Sequence, residues 1–167
     1  MSETSPPSAR HPLPGQVAPD FEAPVAGPGL EPGARLRLAD LRGRTVVLYF
    51  YPKDNTPGCT RQACALREGW EQLAKQAFVV GISADSVASH ERFARKHDLP
   101  FPLVSDPDHA IAEAYGTWVE KRLYGRTYFG IERTTFVIGG DGRVRAVLPK
   151  VKPDAHLEQV LAVLAAS

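Results

Sequence analysis

Val46-Val47-Leu48-Tyr49-Phe50-Tyr51 is an unbroken run of six apolar residues, three of them aromatic and none charged, and it stops at Pro52. A run of this length with no polar position marks a strand buried on both faces. Such a strand must lie inside a sheet that has a layer on each side. The residues after the run are equally constrained. Thr56 is a good N-cap, because its side-chain oxygen can accept a hydrogen bond from a free amide of a first helical turn. Pro57 then falls at N1, where a missing N–H costs nothing and the fixed φ is already helical. Counting on, Gly58 is N2 and Cys59 is N3. A thiol in a first turn feels the positive end of the helix dipole and free amides, which both favour thiolate. Thiolate is the nucleophilic form. Strand, cap, proline and thiol in this order build a place for a reactive Cys59; a small residue that only fills space is the alternative.

The rest of the chain supplies the layers. Ala63, Leu66, Trp70, Leu73 and Ala77 recur at spacings of three and four, which predicts one helix packed on the sheet, with Trp70 in the core. Gly69 lies inside that helix at a cost of ~1 kcal/mol against alanine. Phe78 to Ser83 reads as a second buried parallel strand. Ser86 can cap the next helix, which turns Phe93 and Ala94 inward and stops before Leu99-Pro100. Pro102 to Ser105 is a short strand, and a short helix runs from Asp108 to Tyr115. Trp118 to Gly130 is a loop or extended excursion. Arg133 to Ile138 is a strand, Gly139-Gly140-Asp141-Gly142 a hairpin turn, and Arg143 to Leu148 the antiparallel return. A last helix begins at Pro153 and shows the face Leu157, Val160, Leu161, Leu164. Upstream, 36–38 is a short strand and 24–33 a loop or irregular hairpin. Residues 1–13 form a disordered tail before a single domain over 14–167. Alternating strands and helices, then a hairpin, then a helix give an α/β three-layer sandwich with a central mixed β-sheet.

A net charge of +1 gives no electrostatic footprint for nucleic acid or an acidic membrane surface. No apolar run approaches a membrane span, and no apolar signal segment opens the chain. The expected compartment is the cytoplasm, where a cysteine pair is redox-active or catalytic rather than structural.

Pro52-x-x-x-Thr56-x-x-Cys59 resembles the peroxiredoxin active-site motif, and Thr56-Pro57-Gly58-Cys59-Thr60-x-x-Ala63-Cys64 is similar to its bacterioferritin-comigratory, or PrxQ, branch. The resemblance runs from about Gly15 to the C-terminal helix. It implies a thioredoxin-like form of the sandwich and a thiol-dependent peroxidase acting on hydrogen peroxide and organic hydroperoxides without a cofactor. Cys59 would attack the peroxide. The Thr56 hydroxyl can donate to thiolate or peroxide, Pro52 would shield one side of the pocket, and the amides of Gly58 and Cys59 can bind a developing oxyanion. Arg133-Thr134-Thr135-Phe136 resembles the family's Arg-x-Thr-Phe element, which makes Arg133 the cation beside the thiolate. Without the resemblance, Arg133 reads as a solvated edge charge. Glu132 could orient its guanidinium.

Attack on peroxide leaves a sulfenic acid, which condenses with a thiol. Cys64 is the other cysteine of the chain and the intramolecular partner; a space-filling role in the helix is the alternative. By resemblance, thioredoxin or a similar dithiol would reduce the disulfide. Resolution inside one helix creates no catalytic need for a dimer, so a monomer is expected. On an ideal helix, residues five apart lie roughly 8.6 Å apart at Cα, from a rise of about 7.5 Å, a rotation of about 140° and a radius of about 2.3 Å. A disulfide needs Cα atoms within about 7 Å. Intact helix and disulfide are therefore exclusive.

Two other classes are weighed against this reading. Thiol–disulfide exchange of the thioredoxin type normally uses Cys-x-x-Cys, whereas four residues separate these thiols. A metal-binding or chaperone role would need ligand spacing that His11, His90, His97, His109 and His156 do not show. Two cysteines with no histidine near them in sequence make a poor zinc site, so no metal is expected.

Overall fold

The computed structural model describes residues 10 to 166. Within them the elements run β1 (Glu22–Ala26), β2 (Arg35–Arg37), β3 (Val46–Phe50), α1 (Pro57–Glu68), α2 (Trp70–Gln76), β4 (Phe78–Ser83), α3 (Val87–His97), β5 (Leu103–Ser105), α4 (Ala110–Ala114), β6 (Trp118–Leu123), β7 (Arg126–Ile131), β8 (Thr134–Ile138), β9 (Val144–Leu148) and α5 (His156–Ala165). The main sheet has the order β2-β1-β5-β4-β3-β8-β9. β3 is parallel to β4 and antiparallel to β8, so the sheet is mixed.

The unbroken apolar character of β3 now has its cause. Val47 and Tyr49, with Tyr51 just beyond, pack into a cluster with Ala63, Leu66, Leu73, Phe93 and Val160. Val46, Leu48 and Phe50 point the other way, into a cluster with Ile111, Tyr115 and Phe136. Alternate residues of one strand thus supply both layers of the core. No helix among the described residues is long and apolar enough to cross a membrane.

The predicted single helix after Cys59 is two helices, broken at Gly69. Gly69 closes α1, its amide donating to the carbonyls of Ala65 and Arg67. A Cβ at this position would lie 2.6 Å from Leu157 Cδ1. Gly69 is therefore not a defect inside a helix; it is where the Leu157 side chain of α5 packs into the break. Trp70 is half-buried and packs against the core cluster, its ring centroid 5.8 Å from that of Phe101. Ser86 caps α3 by accepting from the Ser89 amide at 3.1 Å.

The excursion after Trp118 is a regular hairpin, β6–β7, turning at Tyr124 and Gly125, both at positive φ. It exposes Leu123, Tyr124, Tyr128 and Phe129. The last helix starts at His156, three residues later than the proline predicts. Of the tail expected over 1–13, the described residues are packed on the domain: Arg10 Nη2 donates to Glu132 Oε2 at 2.8 Å, and His11 Nε2 lies 3.1 Å from Glu132 Oε1. Residues 1–9 lie outside the described residues.

Candidate active site

β3 delivers the chain to a loop, 51–56, that leads into α1. Thr56 has the extended φ/ψ of an N-cap, and its carbonyl accepts from the Thr60 amide at 2.8 Å. Pro57 is N1 and Cys59 is N3, as the sequence requires. The Thr56 side chain departs from expectation. It caps no amide; its hydroxyl donates to the Lys53 carbonyl at 2.9 Å. The loop curls back through Asn55 at φ 59°, and the Lys53 carbonyl is the partner within reach. The hydroxyl proton is used there, which leaves the Thr56 oxygen as an acceptor. Pro52 is half-buried in the same loop.

Cys59 is buried, and Arg133 Nη2 stands 3.3 Å from its sulfur. The register explains the meeting. β8 runs antiparallel to β3 with Thr134 opposite Phe50, so Arg133, one residue before β8, arrives where β3 hands over to the loop. A guanidinium is a permanent cation, and here it sets a positive charge and an N–H donor beside the sulfur. Gly58 leaves room for it: a Cβ there would be 3.3 Å from Arg133 Nη2.

A buried polar relay holds the guanidinium. Arg133 Nη1 donates to Gln62 Oε1 at 2.5 Å. Gln62 Nε2 faces His156 Nδ1 at 3.0 Å, and His156 Nε2 faces Thr135 Oγ1 at 2.7 Å. Burial first, then the nearby Arg133 charge, lower the His156 pKa to about 3, so the ring is neutral. With the Gln62 oxygen turned to Arg133, its amide nitrogen donates to Nδ1, and the proton of His156 sits on Nε2. Gln62 and His156 were not foreseen. Gln62 lies three residues after Cys59, on the same helix face, which is the one local signal it carries.

Glu132 does not orient Arg133. Its carboxylate takes Arg10, His11 and the Thr134 hydroxyl, the last at 2.7 Å. Burial raises its pKa, but the hydrogen bonds from His11 and Thr134 and the His11 and Arg10 charges outweigh it and bring the value to about 2. Above Cys59, the Tyr49 hydroxyl is buried with no hydrogen-bond partner among the described residues. Burial and the charges of Cys59 and Asp54 push its pKa well up, so the phenol stays neutral. Gly81 makes space for this ring, since a Cβ there would lie 2.9 Å from Tyr49 Cζ.

Arg133 opens on a hollow of about 550 Å³ that Val119, Lys121, Lys150 and Val151 also line. A second hollow, about 580 Å³, lies between the loop after β1 and α3 and touches neither cysteine.

A second polar cluster ties the loop down. Asp54 Oδ1 accepts from Tyr51 at 2.6 Å, and its Oδ2 meets Ser89 at 2.8 Å and His90 Nδ1 at 2.6 Å. The Asp54 amide donates to Asp85 Oδ2 at 2.8 Å. Ligand atoms of Asp54, Asp85 and His90 lie within 4.8 Å of one another, a grouping that linear spacing does not show. Those atoms are engaged in protein hydrogen bonds. Cys64 is half-buried on the same helix as Cys59, and both thiols are free. A histidine is in fact near it: His97 Nδ1 lies 3.8 Å from Cys64 Sγ, across from α3.

Comparison with known proteins places this geometry. The model of the AhpC/TSA family matches residues 14–147. Peroxiredoxin Bcp of Bacillus subtilis is 44% identical over 151 residues, 90% of this chain and 93% of that one. Peroxiredoxin Bcp of Escherichia coli K12 is 43% identical over 148 residues, 88% of this chain and 92% of that one. Among solved structures, the bacterioferritin comigratory protein of Xanthomonas campestris superposes with a TM-score of 0.79 at 37% identity, covering 96% of this chain and 98% of that one. With the fold, a buried first-turn thiol under an arginine and matches along nearly the whole length in agreement, the chain belongs to the AhpC/TSA family as a peroxiredoxin of the Bcp/PrxQ type, a thiol peroxidase of thioredoxin-like fold.

Proposed function

We propose that Cys59 is the nucleophile that reduces hydrogen peroxide and organic hydroperoxides, and that Cys64 resolves its sulfenic acid. The observation that carries this reading is the Arg133 guanidinium, 3.3 Å from a buried N3 thiol and fixed from behind by Gln62. The Cys59 thiolate attacks one peroxide oxygen, the O–O bond breaks, and sulfur keeps that oxygen as a sulfenic acid. Arg133 and the amides of Gly58 and Cys59 stabilise charge on the departing oxygen, which leaves as water or an alcohol. Thr56, its own proton given to Lys53, offers a lone pair to the hydroperoxide O–H. Pro52 closes one side of the loop. Organic hydroperoxides are included because the X. campestris relative is described for alkyl peroxide reduction.

Cys64 then forms an intramolecular disulfide with Cys59, and thioredoxin or a similar dithiol reduces it. Both thiols belong to one helix, which supports a monomer, and the redox-active free pair supports a cytoplasmic setting. Cys59→Ser should abolish peroxide turnover with thioredoxin and thioredoxin reductase. Turnover retained in that variant would overturn the reading. Insulin reduction in the absence of peroxide would point instead to a thiol–disulfide oxidoreductase.

A further inference from the structure

We propose that His97 is the general base that ionises Cys64 for attack on the Cys59 sulfenic acid, an assignment that rests on the reading of Cys64 as the resolving thiol. The two thiols differ in what activates them. Cys59 has a helix N-terminus and a permanent cation. Cys64 stands well inside α1, where the dipole and free amides of the first turn no longer act. Its sulfur instead meets His97 Nδ1 at 3.8 Å.

The ring is placed for this one contact. Its Nε2 is buried and has no hydrogen-bond partner among the described residues. The edge-on ring of Phe93 packs against it at 5.4 Å and 74°. Arg67 Nη1, three residues after Cys64 on α1, donates to the His97 carbonyl at 2.6 Å and clamps α1 to the end of α3. The charged groups that face the ring are Arg67 from α1 and Lys96 from its own helix. Burial first, then these two cations, hold its pKa below the usual histidine value, so it is a neutral acceptor at neutral pH.

The step balances without a further reactant. The Cys64 S–H proton passes to His97 Nδ1. The thiolate attacks Cys59 Sγ, the S–S bond forms, and the S–O bond breaks. The oxygen leaves as hydroxide and becomes water with the proton that His97 returns through solvent. The Cys59 sulfur is reduced from sulfenic acid to disulfide, and Cys64 is oxidised from thiol to disulfide. The Arg67 clamp lies beyond Cys64, so the first turns of α1 can open while Cys64 remains beside its base.

The test mixes reduced protein with one equivalent of peroxide between pH 6 and pH 9.5 and separates the two steps by rapid acid quench and mass spectrometry. Trapping with dimedone measures the sulfenic acid, and loss of alkylatable thiol measures the disulfide. In His97→Gln, disulfide formation should fall severalfold at pH 7 and rejoin the parent rate above about pH 9, where an ordinary thiol of pKa about 8.5 ionises without a base. A packing defect alone would lower the melting temperature without steepening that profile. His97→Ala with free imidazole guards against such a defect, since imidazole should restore the pH 7 rate. Parallel pH profiles in parent and His97→Gln, or no imidazole rescue, would overturn the assignment. Full thioredoxin-supported turnover in Cys64→Ser would overturn the resolving role itself, a separate outcome.

Discussion

Arg133 and Gln62 should have separable effects, because one touches the reacting sulfur and the other acts through it. Arg133→Ala removes the cation at 3.3 Å from Cys59 and should slow the first peroxide phase about 100-fold, the usual cost of losing one donor to a developing anion. Gln62→Leu keeps the cation but unties it, and leaves His156 Nδ1 without its donor. It should cost about 1–3 kcal/mol of stability for the unsatisfied groups and slow the same phase about tenfold. Stopped-flow tryptophan fluorescence and chemical denaturation measure the two effects; an unchanged first phase in Arg133→Ala would make it an edge charge. The helix start at Thr56-Pro57 and the first-turn place of Cys59 were legible in the sequence because an N1 proline and a position counted from it are local. The relay was not. Gln62 and His156 are separated by 94 positions, and neither shows a polar partner until β8 and α5 are folded together. The Thr56 hydroxyl departs from its expected role for the converse reason: the curl of the loop brings a competing carbonyl, from Lys53, within reach.

Two expectations concern α1. The first is chemical. The reduced protein has the helix intact with both thiols free. Since a disulfide cannot span positions roughly 8.6 Å apart on a helix, oxidation must unwind its first turns. Hydrogen exchange on matched reduced and oxidised samples should show lost protection between Thr60 and Ala65, with α5 unaffected. Equal protection in a sample whose Cys59–Cys64 disulfide is verified by mass spectrometry would rule the unwinding out. The second is steric. By helix propensity alone, Gly69→Ala should stabilise by up to ~1 kcal/mol. The 2.6 Å approach to Leu157 predicts the opposite sign, a loss of about 1–3 kcal/mol from overpacking, read by urea denaturation. The periodicity of α1 and α2 was correct in the sequence as one apolar face. The break was invisible, because the element that causes it, α5, lies almost ninety residues downstream of Gly69. The β6–β7 hairpin escaped for another reason: its strands lie outside the main sheet and expose much of both sides, so they lack the apolar alternation that marks a half-buried strand.

At the scale of the molecule, Glu132 joins the beginning of the described chain to the segment just before β8 that carries Arg133. Arg10 and His11 converge on its carboxylate, and Arg10 Nε also donates to the Gly116 carbonyl at 2.9 Å. Gly116 is a glycine for this approach, at φ 69° with the Arg10 carbonyl where a Cβ would be. The layered fold was readable from element order, but this closure was not, since residues 10–13, Arg-His-Pro-Leu, show no periodicity. The closure should make stability depend on acid in a definite direction. The folded pKa of Glu132, about 2, lies below the roughly 4.3 of an unfolded glutamate. The group therefore contributes stability that is complete above about pH 4.3 and is lost as pH falls toward 2. Glu132→Gln should melt several degrees below the parent at pH 7, and the gap should shrink steadily between about pH 5 and pH 2. Scanning calorimetry of both proteins across that range is the measurement. A gap that stays constant with pH would mean that Glu132 holds the segment by hydrogen bonds alone, without its charge. Because Arg133 is the next residue, the variant should also slow the peroxide step in proportion as the start of β8 loosens, an effect absent if Gln62 alone positions the guanidinium.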